Sequence, residues 1–184
     1  MRLSKPRVLP LEDGEMTPEV REIVPPRAEG GRPLNIFTTI ARHPKLLKRW
    51  LVFGSHILGK STLSPRAREL LILRTGWLCR SEYEWGQHAA IGRMVGITEE
   101  ELRRITKGPD EPGWDPLDAN LLQAADQLHE DSMIGNATWA ALSAVYDTRQ
   151  MLDVVFTVGQ YTLVSMVLNT LGVQLDEGIE GFPR

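Results

Sequence analysis

Residues 64–96 read SPRARELLILRTGWLCRSEYEWGQHAAIGRMVG, and this stretch decides the fold. Ser64 followed by proline is typical of a helix start, because the hydroxyl caps the first turn and proline fits there. Residues 70–78 are apolar on most sides of a helix, which indicates a central position. A break near Arg80 lets a second helix, closed by Gly96, fold back on the first.

Helical patterns continue on both sides of this stretch. Asn35 is a candidate cap for one helix, Pro44 opens the next, and Thr98 with Glu101 forms a capping-box pattern. Turn-forming residues at 107–116 then predict a loop.

Three more helices are predicted beyond that loop. Residues 117–131 repeat apolar side chains at helical spacing, Asn136 is a candidate cap, and a long last helix ends near Gly172. No convincing period-2 strand competes with these patterns, so the fold class is predicted to be all-α.

The chain is predicted to form one domain, 1–184, which is long enough for one sizeable core. Its three parts are an N-terminal arm at 1–35, a helical core at 44–107 and the later helices at 116–172. Residues 1–35 are rich in proline and glycine and form an arm, with one short helix starting at Thr17. This arm is expected to lie over the body of the protein or over a neighbouring subunit; disorder is the alternative. The helices over 116–172 complete the bundle.

Composition excludes several classes of function. The net charge is −3 and the basic residues are scattered, which argues against nucleic acid or anionic membranes as partners. No secretory signal is recognised, and the apolar stretch 154–168 is shorter than a bilayer requires and contains Gln160. Gln160 and Tyr161 are polar groups in an apolar setting and need partners, either protein or ligand. A cytoplasmic location is expected.

A single cysteine, Cys79, excludes an internal disulfide and a cysteine-cluster zinc site. The four histidines are too far apart in sequence to suggest a metal centre. Neither a metal nor a cofactor is therefore predicted, and Cys79 is interpreted as a small buried apolar residue.

Ser81, Glu84 and His88 share one helix face, since residues three and four apart are neighbours. Glu69 lies on the preceding helix, either as a charge favoured by the helix dipole or as a buried functional group. When two carboxylates lie beside a histidine, the pKa values of the three groups can differ widely. One group can then donate a proton while another accepts one. The alternative is a simple surface pair between Glu84 and His88.

Residues 67–105 resemble the carboxymuconolactone decarboxylase family, whose superfamily includes the alkylhydroperoxidase D-type proteins. The resemblance is strongest over 44–107 and weaker through the later helices. It implies an alkylhydroperoxidase D-like helical bundle and a homo-oligomer, a trimer or a hexamer.

The peroxidase branch of that superfamily uses a glutamate, a Cys-x-x-Cys pair and a histidine. The glutamate falls on Glu69 and the histidine on His88, but the cysteine positions fall on Ser81 and Glu84. A hydroxyl and a carboxylate cannot cycle between dithiol and disulfide, so that mechanism is unavailable. Cys79 lies on a different side of the helix.

The chain instead resembles the decarboxylase-like branch, which implies a cofactor-independent lyase or proton-transfer enzyme in aromatic-compound catabolism. The small-molecule substrate would be an unsaturated carboxylate or lactone, whose conjugation accepts the charge before a protein acid delivers a proton. His88 is predicted to donate that proton or stabilise the oxyanion, with Glu84 as relay partner and Glu69 orienting the histidine. Ser81 completes the predicted catalytic set and, like Tyr83, is expected to hydrogen-bond substrate. Tyr83 and Trp85 are the predicted substrate-binding residues, with Trp85 on the pocket wall.

Two other functions stay open at this stage. The first is a non-catalytic protein that binds a small ligand or supports assembly on the same scaffold, since fold does not fix activity. The second is a peroxidase that works through Cys79 alone with an outside reductant.

Overall fold

A computed structural model describes residues 3–26 and 31–183. Within these residues there are nine α-helices and no strand. The helices are α1 (Pro18–Ile23), α2 (Asn35–Ile40), α3 (Pro44–Gly59), α4 (Pro65–Leu78), α5 (Glu82–Met94), α6 (Glu99–Lys107), α7 (Pro116–Glu130), α8 (Asn136–Ser143) and α9 (Thr148–Leu171). A short 3-10 turn covers Asp13–Glu15.

Helix α4 is the centre of the bundle, as its apolar sequence predicts. It packs against α5, α6, α7 and α9, and residues 70–73 have no exposed surface. Burying each of these aliphatic side chains stabilises the fold by roughly 1.5–3 kcal/mol. Because α4 is covered on most sides, any polar group that it carries must find a partner inside the protein.

The reversal between α4 and α5 occurs where the sequence predicts a break. Arg80 has φ of 52°, in the left-handed region, and the Ser81 backbone N–H donates to the Gly76 carbonyl at 2.8 Å. Asn169 of α9 donates to the Cys79 carbonyl at 2.9 Å. These bonds satisfy carbonyls at the end of α4 and bring α5 back alongside it.

Most predicted helix ends are confirmed, but two predicted caps are wrong. Thr17, Ser64 and Thr98 each accept a hydrogen bond from the first turn of a helix. Asn35 lies inside α2, and its side chain donates instead to the Gln174 carbonyl at 3.1 Å. Asn136 likewise lies inside its helix, because Gly135 occupies the cap position.

The described part of the N-terminal arm lies over the body of its own subunit. Leu11, Met16 and Val20 pack with Ala41 and Leu47 in a buried apolar cluster. Residues 1–2 and 27–30 of the arm are outside the described part of the chain, as is residue 184.

Helix α9 is the predicted long last helix, and it extends beyond the apolar stretch 154–168 at both ends. It has 24 residues and is apolar enough to cross a membrane by length and composition, although 56% of its most apolar window is buried inside the protein. Its exposed side forms, with α3, an apolar surface that we call the α3/α9 surface. The large side chains of this surface are Leu46, Phe53, Leu152, Val155, Phe156, Leu163 and Met166.

Candidate active site

Helices α4 and α5 bring Glu69, His88 and Glu84 into one buried row. His88 Nδ1 lies 2.6 Å from Glu69 Oε2, and His88 Nε2 lies 3.0 Å from Glu84 Oε1. All three side chains are at most 7% exposed. The row is therefore buried, which removes the interpretation of Glu84 and His88 as a surface pair.

Each member of the row is placed by the local structure. Glu84 and His88 are four residues apart on α5 and face the same way. Glu69 extends from α4, and its second oxygen accepts from Arg68 Nε at 3.1 Å. Both Glu69 oxygens thus have charged partners, which a carboxylate with no exposed surface requires.

Burial and the two carboxylates act in opposite directions on the histidine. Burial lowers the pKa of His88, but the charge and hydrogen bond of Glu69 and the hydrogen bond of Glu84 outweigh it and raise the pKa to about 9. Burial raises the pKa of Glu69, but the nearby His88 and Arg68 outweigh it and hold that pKa below its usual value. At neutral pH His88 is therefore an imidazolium whose two N–H groups donate to the two carboxylates.

The row borders a cavity of about 430 Å³ between α2, α3, α5 and α9. Glu84 and His88 are on its wall, whereas Glu69 lies behind His88. The apolar side chains of the wall are Pro25, Leu34, Ile36, Phe37, Trp50, Leu51, Leu58, Ile91 and Val164. An apolar space with a few convergent polar groups is the usual character of a small-molecule site.

Helix α9 adds two polar residues to the wall of this cavity. The Tyr161 ring meets the His88 ring edge-on, with centroids 4.9 Å apart. Burial, followed by the charges of Glu84 and Glu69, raises the pKa of Tyr161 well above its usual value, so the phenol stays neutral. Gln160 is 4% exposed, and its Oε1 atom has no hydrogen-bond partner within residues 3–26 and 31–183.

Tyr83 is on the cavity wall, but its hydroxyl is already engaged. It donates to Asp176 and accepts from the Ile36 N–H at 3.3 Å. Gln87 also donates to Asp176, at 2.8 Å. Burial and the Asp176 charge raise the pKa of Tyr83 far above its usual value. Only the Tyr83 ring is free to contact a ligand. The substrate hydrogen bond that the sequence predicted for the Tyr83 hydroxyl is therefore wrong.

Ser81 and Trp85 are not on the cavity wall. Ser81 caps no helix end with its side chain, and its Oγ is buried without a partner. The Trp85 ring packs against Trp77 and Phe182, at centroid distances of 5.7 and 5.8 Å. One residue along a helix turns the side chain by about 100°, which directs Trp85 into the core when Glu84 faces the cavity.

The remaining candidate residues also lie away from this cavity. Cys79 is partly exposed, not buried as expected, and its Sγ lies 3.8 Å from His129 Nδ1. His56 lies 3.8 Å from Asp153 beside a separate surface depression. Across the described ranges, no group of three or more His, Cys, Asp or Glu side chains is arranged to hold a metal ion.

Some wall residues gave no signal in the sequence. Phe37 and Trp50 come from α2 and α3, where apolar spacing indicates burial but not a cavity. Asp176 is not on the wall, but it follows the last helix and reaches back to α2 and α5, which no local pattern reveals. Gln160 and Tyr161 did have a signal, because polar groups in an apolar helix require partners.

The described residues form an all-helical protein with buried acid–base groups at a cavity, and its fold is that of alkylhydroperoxidase AhpD. An AhpD core, an uncharacterized peroxidase-related protein from Ralstonia eutropha JMP134, superposes with a TM-score of 0.80 at 17% identity, covering 94% of this chain and 93% of that one. The debrominase Bmp8 superposes with a TM-score of 0.77 at 10% identity, covering 92% of each chain. Bmp8 is also known in complex with 2,3,4-tribromopyrrole; that structure has a TM-score of 0.69 at 10% identity, covering 95% of this chain and 94% of that one.

The sequence places the chain more closely within this class. Residues 44–127 match the model of the carboxymuconolactone decarboxylase family. Over these residues, a little under half of the chain, the sequence is similar to that family, and the helices of the described residues have the AhpD-like fold. The predicted all-α, AhpD-like fold is confirmed. A search of curated proteins found no match.

Proposed function

We propose that this protein is an acid–base enzyme that moves a proton on a small, mostly apolar, unsaturated compound such as a lactone. The observation that carries this proposal is the buried Glu69–His88–Glu84 row, which reaches the wall of an otherwise apolar cavity through Glu84 and His88. The superfamily and its debrominase neighbour are consistent with enzyme activity. The complex of Bmp8 with 2,3,4-tribromopyrrole indicates that this fold is able to hold a small ring compound.

The arrangement assigns different roles to the three groups. Both N–H groups of His88 already donate to carboxylates, so Glu84 is the group that is able to accept a proton from substrate. The electron pair of the broken C–H bond enters the conjugated system, and the proton held on Glu84 returns to another atom of the same molecule. The His88 cation offsets the charge that develops in this enolate-like intermediate. Of the two roles that the sequence suggested for His88, this proposal keeps stabilisation of the oxyanion and assigns proton transfer to Glu84.

The charge of the cavity favours an uncharged substrate. Among the described residues of the wall there is no lysine or arginine, and His88 is already paired with two carboxylates. Decarboxylation, the reaction in the family's name, is the second candidate, because loss of carbon dioxide leaves a similar enolate-like anion, whose carbon would then take its proton from the His88 imidazolium. The His88 cation is the one described wall group that favours it.

Proton exchange in D₂O tests the proposal with a simple surrogate for the natural substrate. We expect the protein to catalyse deuterium incorporation into α-angelica lactone, an uncharged unsaturated lactone, as followed by NMR. Glu84→Gln should reduce the rate at least about 100-fold, because a general base contributes roughly 10²–10⁴-fold. 4-Carboxymuconolactone tests the second candidate reaction, decarboxylation, which is measured by the release of carbon dioxide.

The same assay separates the alternatives. Exchange that persists at full rate in Glu84→Gln would refute the assigned base. Binding of both lactones without exchange or carbon dioxide release would indicate a non-catalytic ligand-binding protein. Hydroperoxide consumption that is lost in Cys79→Ser would favour the thiol peroxidase instead.

We also propose that the protein is a cytoplasmic homo-oligomer, a trimer or a hexamer. The α3/α9 surface supports this proposal, because Leu163 and Met166 are 50% and 60% exposed, and large contiguous apolar patches on proteins commonly mark interfaces. Phe53 and Phe156 stack edge-on within the same surface, 5.9 Å apart. Light scattering that gives a monomer mass would refute it.

A further inference from the structure

Gln160 is a polar group that the acid–base row does not use. It lies on α9, on the wall of the same cavity as Glu84 and His88. Its side chain extends toward Gly54 of α3, where an added Cβ would lie 3.6 Å from Gln160 Nε2. The carboxamide therefore lies between the two helices, at about van der Waals distance from α3.

Among the described residues, none is a hydrogen-bond partner for the buried Gln160 Oε1. Such an atom normally costs stability, because it has lost its hydrogen bonds to water and gained none. Two other buried groups of α9, Thr157 and Ser165, also lack a partner, but a short hydroxyl can turn toward the preceding helical carbonyl. The longer carboxamide of Gln160 instead reaches the cavity wall, which Thr157 and Ser165 do not line.

We propose that Gln160 and Glu84 together bind the hydroxyl edge of an uncharged ring compound, of the phenol or enol class. A carboxylate only accepts hydrogen bonds, whereas a carboxamide both donates and accepts. A hydroxyl matches this pair, because it can donate its proton to Glu84 while its oxygen accepts from the Gln160 N–H. Its proton can also be shared between Glu84 and Gln160 Oε1. The inference rests on the proposed function, since it names the substrate class of the same site.

The size and lining of the cavity agree with this class. About 430 Å³ accommodates one or two rings, and Phe37, Trp50 and Ile91 offer apolar contact to their faces. An ether in place of the hydroxyl is unable to donate to Glu84. A carboxylate in that place is repelled by Glu84 and finds no lysine or arginine on the described wall.

Binding of three matched naphthalenes tests the inference on the full chain. 2-Naphthol carries the hydroxyl, 2-methoxynaphthalene blocks it, and 2-naphthoate replaces it with a charge. At pH 7 we expect 2-naphthol to bind about tenfold more tightly than either analogue by equilibrium dialysis, which is the effect of about one hydrogen bond. Equal affinities, a preference for 2-naphthoate, or no binding of any probe would overturn the inference.

Gln160→Met assigns the effect to the residue, because methionine keeps the length and removes the amide. It should weaken 2-naphthol about tenfold and leave 2-methoxynaphthalene unchanged. Thr157→Val is the matched control: it removes another unpartnered buried group one turn earlier on α9, and should change neither affinity. Unchanged 2-naphthol affinity in Gln160→Met would refute the role of Gln160.

The outcome is distinguishable from failure of the proposed function. Selective 2-naphthol binding that depends on Gln160, without lactone exchange, would support the ligand class and refute the enzyme. Lactone exchange that depends on Glu84, without selectivity among the naphthalenes, would support the enzyme and refute the ligand class.

Discussion

Two buried clusters of charge lie on opposite sides of α4 and differ in kind. Arg74 pairs with Asp126 through two hydrogen bonds of 2.5 and 2.8 Å, and its third nitrogen donates to the Ile105 carbonyl at 2.7 Å. The Glu69–His88–Glu84 row has two carboxylates for one imidazole and borders the cavity. Burial of charge is common to both clusters, so burial does not distinguish a functional site from a structural one.

What distinguishes the two clusters is whether a proton can leave. A guanidinium keeps its charge throughout the pH range in which proteins fold, and Arg74 joins α4 to α6 and α7. An imidazole changes charge near neutral pH, and the His88 row has access to a ligand-sized space. The difference indicates that Arg74 stabilises the bundle, whereas the His88 row is suited to proton chemistry.

The largest expected effect is on the Arg74 cluster. Arg74→Met should lower the free energy of unfolding by about 3–5 kcal/mol, because Asp126 is left as an unpaired, mostly buried charge. Urea unfolding followed by circular dichroism measures this change. The double variant Arg74→Met with Asp126→Leu should recover most of the loss, since it leaves no unpaired charge. A double variant as unstable as the single one would contradict this account.

A smaller, pH-dependent effect is expected from His88. Its pKa is raised in the folded state to about 9, so its stabilising contribution is fully present below about pH 6.5 and is lost as the pH rises through 9. The free energy of unfolding should fall by up to about 3 kcal/mol between pH 6.5 and 9.5. His88→Gln should flatten this profile. A wild-type free energy of unfolding that does not change in this pH range would show that the pKa of His88 is not raised in the folded state.

Removing one carboxylate should shift the titration of the histidine. Glu69→Gln takes away the nearest negative charge from His88 and should lower the His88 pKa by about 1–2 pH units. The imidazole Cε1–H resonance, followed by NMR against pH, measures the shift directly. The Arg74→Met variant is the control, because it changes a buried charge elsewhere and should leave the His88 titration unchanged.

The smallest effect is expected at Ser81, which belongs to neither cluster. Ser81→Ala removes a buried hydroxyl that has no partner and should change the free energy of unfolding by no more than about 0.5 kcal/mol. Lactone exchange should also be unchanged. A loss of exchange in Ser81→Ala would restore the substrate contact that the sequence suggested.

The sequence predicted the helices well, because their signals are local. Ser64, Thr98 and Gly172 occupy the predicted helix ends, and the apolar run of α4 is central. Asn35 and Asn136 were misassigned as caps. The Asn35 side chain reaches the Gln174 carbonyl, 139 residues away, and such a distant competitor cannot be recognised from neighbouring residues.

The site was only partly predictable. Spacing on α5 brought Glu84 and His88 together, and the family resemblance added Glu69. Helical periodicity shows which residues share a face, but not which face meets a cavity, and Trp85 therefore fell on the wrong side. The roles of Glu69, Glu84 and His88 stay predictions until the exchange measurements are made.

Asp176 bears on the order in which the molecule is assembled. Its carboxylate accepts from the backbone of Asn35 across 141 residues and from Tyr83 across 93 residues. Contacts between such distant parts of a chain close large loops and tend to form late. Helices α4 and α5 are adjacent in sequence and can pack early, so we expect the acid–base row to exist before its cavity has a finished wall. In pulse-labelled hydrogen exchange during refolding, the amides of α4 should become protected before the amide of Asn35.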